Sequence, residues 1–134
     1  LVDTDDVMKH SLSDLNCMAK NIYYEARNES KLGKFAVAQV TINRTNDPKL
    51  AGNICKVVYS PNQFSWANNH HLRNKSLSGP QWEESKTIAK AVLSGTRIKG
   101  MEYALYFHAT HVNPRWRNVS RLVKIGGHVF YRRS

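Results

Sequence analysis

The feature that most constrains this chain is an apolar helical stripe that runs into a carboxylate. Leu15, Met18 and Ile22 recur at steps of three and four residues, which places them on one helix face, and Glu25 follows three residues later on that face. A stripe of this kind has to be covered by other elements, so the rest of the chain must fold around it. A carboxylate at its end is costly there unless it is paired or neutral. Partial desolvation and the negative end of the helix dipole both raise its pKa, which suits a general acid working near neutral pH. The competing reading leaves Glu25 at a frayed helix end, solvated or paired with Arg27 or Lys20.

Caps and breakers set the remaining elements. Ser11 or Ser13 is suited to cap the first helix, with Asp14 three residues after Ser11 as a weak capping box. Ser30 is the expected cap of a second helix holding Phe35, Ala36, Val37, Val40 and Ile42, and Asp47-Pro48 marks its end. Residues 60–79 are polar, rich in Asn and broken by Pro61, and read as one long loop of the kind that carries function. Pro80 opens a third helix through Leu93, with Gly95 as its stop. Beyond Gly100, residues 103–107 and 129–131 have the aromatic and β-branched content of short strands, and Gly126-Gly127 suggests a turn. The expectation is a single α+β domain over residues 1–134. Its helices occupy the N-terminal two thirds, a small sheet or hairpin lies toward the C-terminus, and residues 1–10 form a tail.

Charge narrows the partners. Twenty Lys and Arg face ten Asp and Glu, a net charge of +10, and residues 97–134 carry eight of the positive residues against the single acid Glu102. Such a surface attracts polyanions, either nucleic acid or an anionic bacterial envelope. No zinc knuckle, helix-turn-helix signature or Arg/Gly repeat favours nucleic acid. The opening residues Leu1 to Asp6 show neither an initiating Met nor a signal peptide, which fits a mature or trimmed form.

A set of short motifs then adds a resemblance. Tyr23, Glu25, Ala26, Arg27 and Glu29 are followed by Val40, Asn43 and Arg44, then by Cys55 to Tyr59 and Gln63-Phe64-Ser65. Tyr106-Phe107-His108, Pro114 with Trp116, and Gly127-His128-Val129-Phe130-Tyr131 complete the series. From about residue 12 to 132 the chain resembles the SleB/CwlJ-type cell-wall hydrolases, enzymes of spore-cortex lysis with bacterial and phage relatives. One departure is Asn28, where the family usually has Gly; Asn tolerates the left-handed conformation that ends a helix. The resemblance implies a lysozyme- or lytic-transglycosylase-like cleft, with Glu25 as catalytic acid. It also implies a disulfide between Cys17 and Cys55, which suits an oxidising envelope, two buried free thiols being the alternative.

The acids offer few partners for Glu25. Asp3, Asp5 and Asp6 lie in the tail, Glu83 and Glu84 suit a helix N-terminus, and only Glu29 has motif company. Glu29 either assists substrate binding and water activation or holds Arg27, Arg44 or a backbone amide. A single-acid mechanism, in which the C6 hydroxyl of muramic acid is the nucleophile, needs no second carboxylate. In the long loop, Gln63 and Ser65 carry groups suited to sugar hydroxyls and N-acetyl groups, with Phe64 anchoring the loop in the core. Tyr106, His108, Trp116 and His128 join them as expected substrate-binding residues, with His108 and His128 either lining the cleft or satisfying hydrogen bonds in the core, and Trp116 open to three roles: sugar stacking, anchoring a basic patch, or core. Neither His70-His71 nor His108 with His111 has a matching carboxylate pattern, so no metal and no other cofactor is expected.

The expected function is cleavage of the β-1,4 bond between N-acetylmuramic acid and N-acetylglucosamine, as a lytic transglycosylase. The alternatives are a hydrolytic muramidase or glucosaminidase, or a non-catalytic basic module binding envelope or nucleic acid. The expected partners are peptidoglycan strands and the anionic envelope, with the chain a monomer and no stable nucleic-acid partner. The expected location is the bacterial envelope, the periplasm, the exterior, or, for a phage lysin, the host wall.

Overall fold

The computed structural model describes residues 12–50, 52–61 and 63–134. The expected tail of residues 1–10, the cap at Ser11 and the acids Asp3, Asp5 and Asp6 lie outside them. Helix α1 (Leu12–Ala26) carries the stripe, with Met18 and Ile22 fully buried. Ser13 sits inside its first turn and is therefore not its cap. Helix α2 (Lys31–Thr45) opens at Ser30, whose hydroxyl accepts from the Gly33 amide at 3.2 Å. Gly33 packs closely there, since a Cβ would stand 3.0 Å from the Glu29 Cβ. Asn28 does not take the left-handed conformation expected of it; the chain leaves α1 through a turn closed by the Glu29 amide on the Ala26 carbonyl at 2.9 Å.

A short helix α3 (Ile54–Val58) follows, capped by Asn53, and the Cys17–Cys55 disulfide ties it to α1 across a Cα–Cα distance of 5.3 Å. The segment expected as one long loop contains a 3-10 turn (Ser65–Asn68) and a helix α4 (His70–Asn74) capped by Asn69. Both short helices lie below the length at which apolar periodicity declares itself. Helix α5 (Pro80–Leu93) has the boundaries expected, with Gly79 and Gly95 at positive φ on either side.

Three antiparallel strands close the chain: β1 (Tyr106–Ala109), β2 (Val119–Ile125) and β3 (His128–Arg133), in the order β1-β3-β2. The first expected strand is shifted, since Tyr103 is an exposed turn residue, and β2 is additional. A register shift between Arg121 and Val123 breaks the alternation of β2, which removes its period-two signal from the sequence. Gly126-Gly127 forms the turn into β3 as expected.

Helix α2 is the hub. One cluster packs Met18, Ile22, Ile88 and Val92 with Ala38 and Ile42, and a second joins Val37 and Val40 to Met101 and Phe130 of the sheet side. Polar groups on α2 moor the connector that leads into β1. The Gln39 side chain donates to the Ile98 carbonyl and accepts from the Ile98 amide, at 3.3 and 2.6 Å. Asn43 Nδ2 donates to the Met101 and Ala104 carbonyls, both at 2.9 Å. These bonds satisfy carbonyls that an irregular segment would otherwise leave unpaired.

Candidate active site

Glu25 occupies the last turn of α1, half-buried, beside a cleft of about 750 Å³. Burial lifts its carboxyl from the ordinary carboxylate range to about 7. Neither cation offered as its partner takes that place. Lys20 Nζ donates to the Arg73 carbonyl at 3.1 Å, and the Arg27 guanidinium lies 4.9 Å from the centre of the Tyr23 ring. Near neutral pH the group is thus divided between acid and base, the condition for giving a proton and then taking one back.

The loop wall of the cleft is fixed to α1 by an indole. Trp66 Nε1 donates to the buried Asn21 Oδ1 at 2.9 Å, and its ring stacks on Tyr24 with centroids 4.9 Å apart. Phe64 is buried as the expected anchor, 6.0 Å from the Phe107 ring, yet it also reaches the cleft. Gln63 and Ser65, on either side of it, line the cleft with Glu25.

The sheet side supplies Tyr106, His108, Trp116 and His128, all four lining the same space. His108 Nδ1 donates to the Ala109 carbonyl at 2.7 Å, so in the neutral ring Nε2 accepts from the Tyr131 hydroxyl at 2.8 Å. Trp116 is 42% exposed and leans on the His108 and Tyr131 rings, each 5.4 Å away. It is an open aromatic surface of the cleft rather than a core residue. His128 is buried, and burial holds its pKa below the usual histidine value against the pull of Glu29.

Glu29 lies apart from this lining. Its Oε1 accepts from the Gly127 amide at 2.7 Å, and a Cβ on Gly127 would stand 2.9 Å from its other oxygen. The carboxylate therefore holds the β2–β3 turn next to His128, the backbone-amide role rather than a place at the cleft. Among the described residues, no group of three His, Cys, Asp or Glu is positioned to hold a metal ion. His70 and His71 are exposed on α4, outside the cleft lining.

Among the lining residues that sequence reasoning missed are Arg44, Asn68, Phe107 and Val112. Arg44 and Phe107 belong to the motifs that carried the resemblance, which was a signal that they do more than pack. Asn68 ends the short 3-10 turn, Val112 lies between β1 and β2, and neither left such a trace.

Residues 28–131 match the Cell Wall Hydrolase family. Glu25 falls three residues before that span. A spore cortex-lytic enzyme of Halalkalibacterium halodurans is 39% identical over 122 residues, covering 90% of this chain and 35% of that protein. The spore cortex-lytic enzyme of Bacillus subtilis is 28% identical over 125 residues, covering 90% and 38%. The chain thus spans less than half the length of these curated relatives. Among solved structures, the catalytic domain of the germination-specific lytic transglycosylase SleB from Bacillus anthracis superposes with a TM-score of 0.75 at 26% identity, covering 90% of this chain and 94% of that one. The catalytic domain of the Bacillus cereus SleB protein gives the same score and identity, covering 90% of each chain.

Proposed function

We propose a reaction from one premise: this chain belongs to the Cell Wall Hydrolase family. The reaction is cleavage of peptidoglycan glycan strands at the β-1,4 bond from N-acetylmuramic acid to N-acetylglucosamine. One observation carries the mechanism. Among the described residues that line the cleft there is one carboxylate, Glu25.

Protonated Glu25 gives its proton to the glycosidic oxygen as the bond to C1 of muramic acid breaks. The C6 hydroxyl of the same sugar attacks C1, and its proton passes to the Glu25 carboxylate. The acid is restored, no water is consumed, and the chain end is 1,6-anhydromuramic acid. Gln63 and Ser65 from the loop and Trp116 from the opposite side hold the sugar rings, while Tyr131 fixes His108 at its edge. Glu29 is a poor candidate to activate a water, because its carboxylate is engaged at the Gly127 amide. The SleB catalytic domain of Bacillus anthracis, described as a lytic transglycosylase, supports this reading.

The acid assignment is tested by Glu25→Gln. The variant should keep the helical circular dichroism and lose a factor of about 100 to 10,000 in the release of soluble fragments from purified peptidoglycan. A folded variant that digests at the wild-type rate would remove Glu25 from the mechanism. The proposed setting is the bacterial envelope or the outside of the cell, with the basic surface adsorbing the monomer to anionic wall polymer. No helix among the described residues is long and apolar enough to cross a membrane.

A further inference from the structure

Arg44 is a buried cation with nothing negative bound to it. It is 4% exposed, and its Nε donates to the Leu105 carbonyl at 2.7 Å. Among the described residues no hydrogen bond from either Nη group is found, and the residue lines the cleft. A guanidinium kept in so enclosed a place, with donors unpaired beside a cleft, is costly unless a ligand completes it.

The surroundings say which ligand. The Arg44 guanidinium lies 5.1 Å from the centre of the Tyr106 ring. On the hydroxyl side of that ring, Arg133 Nη2 donates to the Tyr106 oxygen at 3.4 Å. Tyr106 and Trp116 line both the main cleft and a second basin, lined further by Arg117, Asn118, Val119 and Arg133. Arg117 is exposed and has no partner among the described residues. Against these three guanidiniums stands Asp47, which already accepts from Arg133 Nη1 at 2.6 Å and from the Lys49 amide at 2.8 Å. The Tyr106–Trp116 end of the cleft is therefore positive and short of acceptors.

We infer that this end of the cleft is a carboxylate-binding subsite, in which Arg44 holds an acid group carried on the muramic acid of the strand and Arg117, in the adjoining basin, adds its positive charge. The subsite rests on the proposed substrate, a muramic-acid glycan, and adds to it a required charge. Guanidinium and carboxylate match in geometry and form charge-assisted bonds stronger than neutral ones. Two sources carry that chemistry: the lactyl carboxylate of a peptide-free strand, and the carboxylates of an attached peptide.

Calorimetric titration of the Glu25→Gln protein separates these cases without turnover. The ligands are soluble peptide-free strands, the same strands amidated at the lactyl carboxylate, and peptide-bearing strands. Expected is an affinity for peptide-free strands at least about tenfold above that for their amidated form, falling with added salt. Tighter binding of peptide-bearing strands alone would place the acid group on the peptide and uphold the subsite. Arg117→Gln, an exposed change, should reduce the preference by about threefold or more, and Arg44→Lys should reduce it further. Equal affinity for all three ligands overturns the inference, and so does an Arg117→Gln protein that keeps the full preference. Should Arg44→Lys fail to fold, Arg117→Gln alone decides. Because binding is read in a protein blocked at Glu25, failure of the subsite and failure of the acid mechanism are distinguishable.

Discussion

At the residue scale, the acid role proposed for Glu25 joins stability to chemistry with opposite signs. Its folded pKa of about 7 stands above the ordinary carboxylate value, so the folded protein binds this proton more tightly than the unfolded chain. The proton's contribution to stability is complete at pH below about 4.5 and is lost as pH rises through about 7. Glu25→Gln does not titrate there. Thermal melts should therefore find the variant gaining on the wild type between about pH 5 and pH 8, by roughly 1–3 kcal/mol at the upper end. A gap that does not change with pH would mean that Glu25 is solvated. Activity should follow the same group, with the alkaline limb of the pH–rate profile falling near pH 7. Glu29 offers the contrast. Glu29→Gln keeps an oxygen for the Gly127 amide, so it should retain most of the lytic rate, whereas a rate as low as that of Glu25→Gln would make Glu29 a second catalytic carboxylate.

At the element scale, the cleft depends on how α2 holds the connector before β1. Asn43→Ala removes both bonds to the Met101 and Ala104 carbonyls and should lower stability by about 2 kcal/mol, read by urea titration. A loss below about 0.5 kcal/mol would show that the connector is held without it. This mooring also explains what the sequence could and could not reveal. Helices α1, α2 and α5 were legible because Ser30 and Pro80 start α2 and α5, and an apolar stripe continues for several turns in each. Strand β2 was not, because its bulge destroys alternation, and α3 and α4 each have five residues. The caps Asn53 and Asn69 were in plain view, but an isolated Asn marks a turn as readily as a helix start. Glu25 was legible because its place on the stripe is local. Arg44 was legible only as part of a motif: nothing in its spacing says that it lines the cleft.

At the scale of the whole molecule, helices α1 and α3 are joined covalently and the sheet side is charged. The Cys17–Cys55 bond closes a loop across a sequence separation of 38, worth about 4 kcal/mol in the chain-entropy account. Replacing both cysteines with Ala should lower stability by up to that amount while leaving the product unchanged. Thiol titration of the denatured, unreduced protein should find no free thiol; two would contradict the bond. The central claim is that one carboxylate, working with the glycan's own hydroxyl, cuts the strand. Mass spectrometry of the muropeptides from an exhaustive digest tests it most directly. Chain ends of 1,6-anhydromuramic acid, lighter than the hydrolysed form by one water, are the result expected. A digest whose new ends are all reducing sugars would contradict the mechanism, because a water molecule would then have done the work assigned to C6.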